Sequence, residues 1–126
     1  MVAMNFTFAP AEYLIPADLK RTTIRRRNPE KEEQIRKHQK LHLYWHQRQP
    51  DCKLLGLRYL RKIEVIEKPI IEFIHDAPPQ LIYSEGFGSD RIAMEQFFTS
   101  HYDVEIISKP GMFYIVEWFS GHGGIL

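Results

Sequence analysis

Strand geometry is clearest in residues 41–46, LHLYWH, where apolar and polar side chains alternate along the chain. Leu41, Leu43 and Trp45 fall on one side of such a strand, and the residues between and after them fall on the other. The alternation predicts a half-buried strand. It also makes Trp45 a core residue rather than a stacking platform on the surface.

Working outward from this strand, three further stretches have β-like composition: residues 54–67, 70–74 and 112–119. A helix is predicted over residues 90–101, because Ser89-Asp90 can cap it and apolar residues recur at helical spacing. Five or six short strands with flanking helices indicate an α+β domain built on a small β-barrel or strongly curved sheet. Five residues are expected to be buried: Ile63, Val65, Phe97, Ile115 and Trp118.

Length and composition favour one domain. The chain has 126 residues, 44% of them hydrophobic, and its 17 Lys and Arg nearly balance its 16 Asp and Glu. We expect a lead-in segment over residues 1–18, the folded domain over 19–119 and a flexible tail over 120–126. No apolar run is long enough to cross a bilayer and the start lacks a signal-peptide pattern, which predicts a cytoplasmic protein with no membrane partner. The single cysteine, Cys52, is expected to be a buried, inert thiol.

No cofactor and no metal are predicted. His38, His42 and His46 recur every four residues, a spacing that would align three imidazoles on a helix. On a strand the same spacing separates neighbouring imidazoles by about 13 Å, which is too far for one ion. The glycines around His122 lack the strand and helix that would make them a phosphate site.

One dense cationic cluster, Arg25-Arg26-Arg27, suggests an RNA partner. Arginines with nearby aromatic residues hold single-stranded RNA through phosphate contacts and base stacking. The candidate nucleic-acid-binding residues are Arg21, Arg25, Arg26, Arg27, Tyr44 and Arg48. The alternative is a solvated face, since the acidic residues at 30, 32 and 33 would cancel much of the positive field.

The segment LKRTTIR, residues 19–25, resembles the K-x-x-T-I-R signature that opens the ASCH domain. Residues 38–56 are similar to the strand, turn and strand that follow in that family. Ser84-Glu85-Gly86-Phe87 and the helix after it resemble the family's acidic-Gly-Phe segment, and residues 114–118 resemble its last strand. The similarity runs in the right order over residues 19–119. It implies a PUA-like barrel with a cleft that binds RNA or a modified nucleoside.

Some bacterial members of this family hydrolyse N4-acylated cytidines with a lysine, a threonine and a glutamate, and the motifs carry these onto Lys20, Thr23 and Glu85. In such a reaction a threonine hydroxyl attacks the amide, a desolvated lysine takes its proton, and the glutamate holds the lysine or relays a proton. Positions three apart face opposite sides of a strand, so a turn at residues 21–22 is required.

Three hypotheses therefore stand open: a module that binds RNA or a modified nucleoside, an amidohydrolase acting on an acylated pyrimidine nucleoside, and an adaptor that uses the last strand as a sheet edge. The position of Lys20 separates the first two. An amine buried in a pocket beside Glu85 favours catalysis, whereas one on an open basic face favours binding of a phosphate backbone. The sequence does not indicate the oligomeric state.

Overall fold

The computed structural model describes residues 2–121 and has an α+β architecture with one five-stranded mixed sheet. The strands lie in the order β1-β3-β4-β5-β2, where β1 runs parallel to β3 and the other neighbours are antiparallel. Their bounds are β1 Val2–Phe6, β2 Thr22–Arg26, β3 Lys40–Trp45, β4 Lys53–Ile66 and β5 Phe113–Trp118. The sheet confirms an α+β fold.

Helices fill the connections between the strands. Their bounds are α1 Ala11–Leu14, α2 Pro29–His38, α3 Ile70–Asp76, α4 Pro79–Ile82, α5 Arg91–His101 and α6 Val104–Ile107, with a π-helical turn over Tyr83–Phe87. Helix α5 begins at the cap Asp90, whose side chain accepts from the Ala93 N–H at 2.9 Å, as the sequence predicts. No helix among residues 2–121 has the length and apolar character needed to span a membrane.

Strand β5 separates two hydrophobic clusters. Tyr114, Val116 and Trp118 belong to the cluster formed with β1, β3 and the first two helices. Phe113 and Ile115 point the other way, into the cluster formed with α3 to α6. Because successive side chains of a strand face opposite sides, burial of both faces makes β5 the central element of the core.

The sheet is not closed into a barrel, since its edge strands β1 and β2 are not paired. A register shift near Leu60 in β4 and another at Leu43 in β3 interrupt the regular ladders, and such irregularities bend strands. The side chain of Arg25 in β2 nevertheless reaches β1, where one terminal nitrogen donates to the Asn5 carbonyl at 2.7 Å. A side chain thus links the two edges where a barrel would have a backbone ladder.

Two elements differ from the sequence prediction. Residues 70–74 were expected to be a strand, but they begin helix α3, in which Ile70 and Ile74 are both buried. Their separation of four places both on one helical face, and packing of that face outweighs the β preference of isoleucine. Residues 2–6, expected within a lead-in segment, form strand β1 with its Val2, Met4 and Phe6 in the core.

Several burial expectations also need correction. Ile115 and Trp118 are buried as predicted, but Ile63, Val65 and Phe97 are only half-buried. Trp45 is buried, which confirms it as a core residue. Cys52 is exposed rather than buried, because it lies in the turn between β3 and β4.

The last strand cannot serve as a free edge, because β5 is hydrogen-bonded to β4 on one side and β2 on the other. This removes the basis for the adaptor hypothesis. Of the expected flexible tail, residues 122–126 lie outside the described part of the chain. Within it, the Gly121 N–H donates to the Asp18 carboxylate at 2.9 Å.

Candidate active site

Lys20 is held just before β2 by backbone hydrogen bonds to three parts of the chain. Its own N–H donates to the Leu14 carbonyl at 3.0 Å, while the next N–H, of Arg21, donates to Ser84 at 3.1 Å. The Arg21 carbonyl accepts from the Trp118 N–H of β5 at 3.0 Å. Lys20 precedes strand β2, so the alternation of side chains along the strand does not fix its direction. Its side chain can therefore lie on the same side as that of Thr23.

Glu85 is presented by the π-helical turn at Tyr83–Phe87. Gly86 has a φ of 106°, in the region that favours glycine, and this breaks the helical path directly after Glu85. A Cβ on Gly86 would lie 2.8 Å from the Phe8 ring, so the close approach also requires glycine. The turn directs both the carbonyl and the carboxylate of Glu85 toward Lys20. Irregular π turns of this kind are frequent at functional sites.

The Lys20 amine is almost fully buried, with 3% of the residue exposed, and Glu85 is 4% exposed. Its Nζ donates to the Thr22 carbonyl at 2.8 Å and to the Glu85 carbonyl at 2.6 Å. The Glu85 Oε1 atom lies 4.0 Å from Nζ, within ion-pair distance but beyond a hydrogen bond. The Thr22 hydroxyl donates to Glu85 Oε2, which fixes the carboxylate beside the amine.

Burial lowers the pKa of Lys20 below its ordinary value, because the charged ammonium loses water. The Glu85 carboxylate opposes this shift and raises the pKa, while the positive charge of Arg25 lowers it further. The rings of Phe6 and Phe8 lie 5.9 and 5.8 Å from Nζ, measured to their centroids, and exclude solvent on that side. The net effect favours the neutral amine relative to a lysine in water.

Thr23 and Arg25 lie on the same side of β2 and are joined by a hydrogen bond. Arg25 Nε donates to the Thr23 hydroxyl oxygen at 3.1 Å, and its guanidinium lies 4.7 Å from the Phe6 ring centroid. Because the Thr23 oxygen accepts this bond, its own hydrogen remains available for an acceptor. Burial lowers the pKa of Arg25, but a guanidinium starts so high that it stays charged.

These residues line one cavity of about 270 Å³. The polar residues of its lining are Asn5, Thr7, Lys20, Thr23, Arg25, Glu85 and His101. Its aromatic part has six rings, those of Phe6, Phe8, Phe87, Phe97, Phe98 and Tyr102. The volume lies just below the range of about 300–1,000 Å³ that small-molecule sites usually have. A cavity with apolar walls and a few convergent polar groups suits one small planar ligand.

The three residues that the motifs assign to catalysis, Lys20, Thr23 and Glu85, thus meet at one cavity although Glu85 is 65 residues from Lys20. Their chemical roles stay predictions. The nucleic-acid-binding set is divided, because among its six members Arg25 alone lines this cavity.

The other five members of that set have separate surroundings. Arg27 pairs with the buried Glu32 at 3.0 Å, and Arg26 lies over the Phe113 ring at 5.9 Å. Arg21 and Arg48 are exposed, and Tyr44 is half-buried on β3. The arginine cluster is therefore partly neutralised and partly packed, rather than an open cationic face.

Sequence reasoning missed several contributors to the site, among them Asn5, Thr22, Phe8 and His101. Asn5 and Phe8 were missed because strand β1 was not predicted, although Val2, Met4 and Phe6 alternate as a strand requires. Thr22 lies inside the signature segment, but only the structure shows its hydroxyl on Glu85. The spacing places His101 or Tyr102 at the end of the apolar stripe of the predicted helix, which indicates a core position, whereas His101 is exposed at the cavity.

Among residues 2–121, no group of three or more His, Cys, Asp or Glu side chains is arranged to hold a metal ion. No protein-family model, no curated protein and no solved structure matches the chain.

Proposed function

We propose that this chain is an amidohydrolase that removes the acyl group from an N4-acylated cytidine-type nucleoside. The observation that carries the proposal is the Lys20 amine, buried next to the Glu85 carboxylate at a cavity that Thr23 also lines. A resemblance to the ASCH domain, with its PUA-like barrel, supplies the substrate class. The cytoplasmic location predicted from the sequence belongs to the same proposal.

The hydrogen bonds of Lys20 suit a neutral amine. Such an amine has two N–H groups and one lone pair, and the carbonyls of Thr22 and Glu85 accept two hydrogen bonds. The lone pair is then free to take a proton, as a general base requires. An ammonium has a third hydrogen, and Glu85 Oε1 at 4.0 Å is too distant to accept it directly.

In the first step, the Thr23 oxygen attacks the acyl carbon of the amide while Lys20 takes the hydroxyl proton. A tetrahedral intermediate forms, and its negative oxygen requires a hydrogen-bond donor. Arg25 offers one, because its second terminal nitrogen makes no hydrogen bond to residues 2–121. The carbon–nitrogen bond then breaks, and the exocyclic nitrogen leaves as an amine with the proton that Lys20 had taken, which passes through Glu85 once the ammonium moves to close the 4.0 Å between Nζ and Oε1.

In the second step, water attacks the acyl-threonine ester and gives its proton to Lys20. The ester bond breaks, the proton returns to the Thr23 oxygen, and a carboxylic acid is released. Glu85 keeps Lys20 in place throughout through its carbonyl, and Thr22 keeps Glu85 in place. The products are cytidine and one carboxylic acid, and the protein returns to its starting state.

Binding of a modified nucleoside without hydrolysis is the second candidate. The proximity of Glu85 to Lys20 favours it, because a carboxylate 4.0 Å away stabilises the ammonium and weakens the base. Burial is the larger effect on the pKa of Lys20, so the hydrolase is the better supported of the two. An RNA partner stays a prediction, and the partial neutralisation of the arginine cluster does not favour it.

The test is release of cytidine from N4-acetylcytidine, followed by chromatography. Lys20→Ala, Thr23→Ala and Glu85→Gln should each lose at least about a hundredfold in kcat/KM, the usual size of a general acid–base contribution. Residues that act as one unit fail together, so the double variant Lys20→Ala/Thr23→Ala should be no worse than either single variant.

Matched changes outside the cavity control for unspecific effects. Lys62→Ala, Thr99→Ala and Glu64→Gln alter the same residue types at exposed positions and should keep the wild-type rate. Circular dichroism must show that all variants fold. Absence of cytidine release from the wild-type protein would overturn the hydrolase proposal and leave nucleoside binding.

A further inference from the structure

His101, the last residue of α5, lies at the exposed side of the cavity and has a fixed ring orientation. Its Nδ1 lies 2.7 Å from the Phe97 carbonyl oxygen, one turn earlier in the helix. The ring also stacks on the Phe97 ring, with centroids 4.1 Å apart and planes at 26°. Two independent contacts therefore hold the imidazole in place.

The hydrogen bond determines which ring nitrogen carries the proton. A carbonyl oxygen can only accept, so Nδ1 must donate, and in the neutral imidazole Nε2 is then the unprotonated nitrogen. Nε2 makes no hydrogen bond to any residue between 2 and 121. The cavity thus presents one oriented acceptor on its exposed side, opposite in character to the donors Lys20 and Arg25.

We infer that His101 is a specificity-determining residue whose Nε2 accepts a hydrogen bond from a sugar hydroxyl of the ligand. This rests on the proposed function for the ligand class. In a cytidine, the N4 nitrogen and the sugar are attached at opposite positions of the pyrimidine ring. An amide placed at the buried Thr23 therefore directs the sugar outward, to the side where His101 is exposed.

The inference predicts a preference for nucleosides over free bases, because a free cytosine has no sugar hydroxyl to donate. One neutral hydrogen bond should give about a three- to tenfold difference in affinity, which corresponds to about 0.65–1.4 kcal/mol and lies within the usual net contribution of such a bond. The preference should be visible in binding of the unacylated product, without any turnover.

Three variants separate the Nε2 contact from the structural role of the ring. His101→Asn keeps an amide N–H near the position of Nδ1, where it can still donate to the Phe97 carbonyl, but it removes Nε2. His101→Gln reaches the Nε2 position with an amide oxygen and should restore the acceptor. His75→Asn is the matched control, since its imidazole is 77% exposed on α3 and does not line the cavity.

Binding of cytidine and of cytosine would be measured by NMR titration for the wild type and the three variants. We expect wild type and His75→Asn to prefer cytidine, His101→Asn to lose about three- to tenfold in that preference with cytosine binding unchanged, and His101→Gln to regain most of it. Equal binding of both ligands by the wild type, no detectable binding of cytidine, or an unchanged preference in His101→Asn would overturn the inference. A cytidine preference that depends on His101, without hydrolysis of N4-acetylcytidine, would reject the hydrolase and keep this role of His101.

Discussion

The two ends of the cationic segment 20–27 carry the same charge but have different surroundings. At the inner end, Lys20 and Arg25 line the cavity, and burial lowers the pKa of both. At the outer end, Arg27 holds the buried Glu32 at the start of α2, and Arg26 covers the Phe113 ring. The difference teaches that a dense run of positive charges in a sequence does not indicate which of them form a binding site. The burial of each charge and the group with which it pairs determine that.

Substitution of Arg25 should produce the largest difference between the two ends. Arg25→Gln removes the guanidinium that contacts Thr23 and the donor proposed for the tetrahedral intermediate, so kcat/KM for N4-acetylcytidine should fall about 10²- to 10³-fold. Arg27→Gln should leave kcat/KM within about twofold, because Arg27 does not line the cavity. Equal losses of kcat/KM in the two variants would mean that Arg25 has no special role in the reaction and that lining the cavity does not set it apart from Arg27.

Gly86→Ala should disturb the inner end by shifting the backbone of the turn that presents Glu85. The new Cβ would lie 2.8 Å from the Phe8 ring at a φ of 106°, so the turn that presents Glu85 must shift. A residue forced into such a conformation costs about 1–3 kcal/mol, and urea unfolding should show a loss of that size. Gly111→Ala is the control, since Gly111 has a similar positive φ of 72° but nothing within 4 Å of the added carbon. It isolates the backbone strain from the clash.

Arg27→Gln should instead destabilise the outer end. Glu32 is 1% exposed and accepts from Arg27 Nε at 3.1 and 3.0 Å and from the Asn28 N–H at 2.8 Å. Loss of the arginine leaves a buried carboxylate with one backbone donor. Because Arg27 is itself about a third exposed, we expect a moderate loss of about 1–2 kcal/mol in the free energy of unfolding, measured in urea. The double variant Arg27→Gln/Glu32→Gln should recover part of it, and failure to do so would mean that the pair is not what stabilises α2.

Much of the fold could be predicted because local patterns agree with the final packing. Residues 41–46 alternate and form β3, and Asp90 caps α5 where the sequence indicates. Helix α3 could not be predicted in the same way, because isoleucine favours strands locally. The helix is stabilised by packing of its isoleucines in the hydrophobic cluster formed with α4 to α6, which the local sequence does not show. Strand β1 does show the local alternation of a strand, but its place in the sheet depends on pairing with residues 41–45, about 40 residues away, which no local pattern reveals.

The residues of the candidate site that belong to sequence motifs could be predicted. The residues that reach the site only through the folding of the chain could not. Lys20, Thr23 and Glu85 follow from the signature segments, and the structure brings them to one cavity. Thr22 and Asn5 act through contacts across 63 and 20 residues, from Thr22 to Glu85 and from Arg25 to Asn5. Their importance depends on the path of the chain between the motifs, and single residue types carry no sign of it.

The effect most specific to the inner end is the pH dependence that the buried amine gives to stability. In the folded chain the pKa of Lys20 lies below its ordinary 10.5, whereas in the unfolded chain it should be about 10.4. Between the two values the unfolded chain holds a proton that the folded chain has lost, so the free energy of unfolding rises with pH in this window and levels off above it.

Lys20→Met removes this contribution while filling a similar volume. The free energy of unfolding of the wild type, minus that of Lys20→Met, should therefore increase with pH through the window that ends near the ordinary lysine value of 10.5. Tyr114, whose pKa is raised by burial, acts in the opposite sense above pH 10, but it is present in both proteins and largely cancels in the difference. Lys62→Met, at an exposed position, should give a curve parallel to the wild type. If the Lys20→Met curve is parallel as well, the amine has its ordinary pKa in the folded chain and cannot act as the base proposed for Thr23.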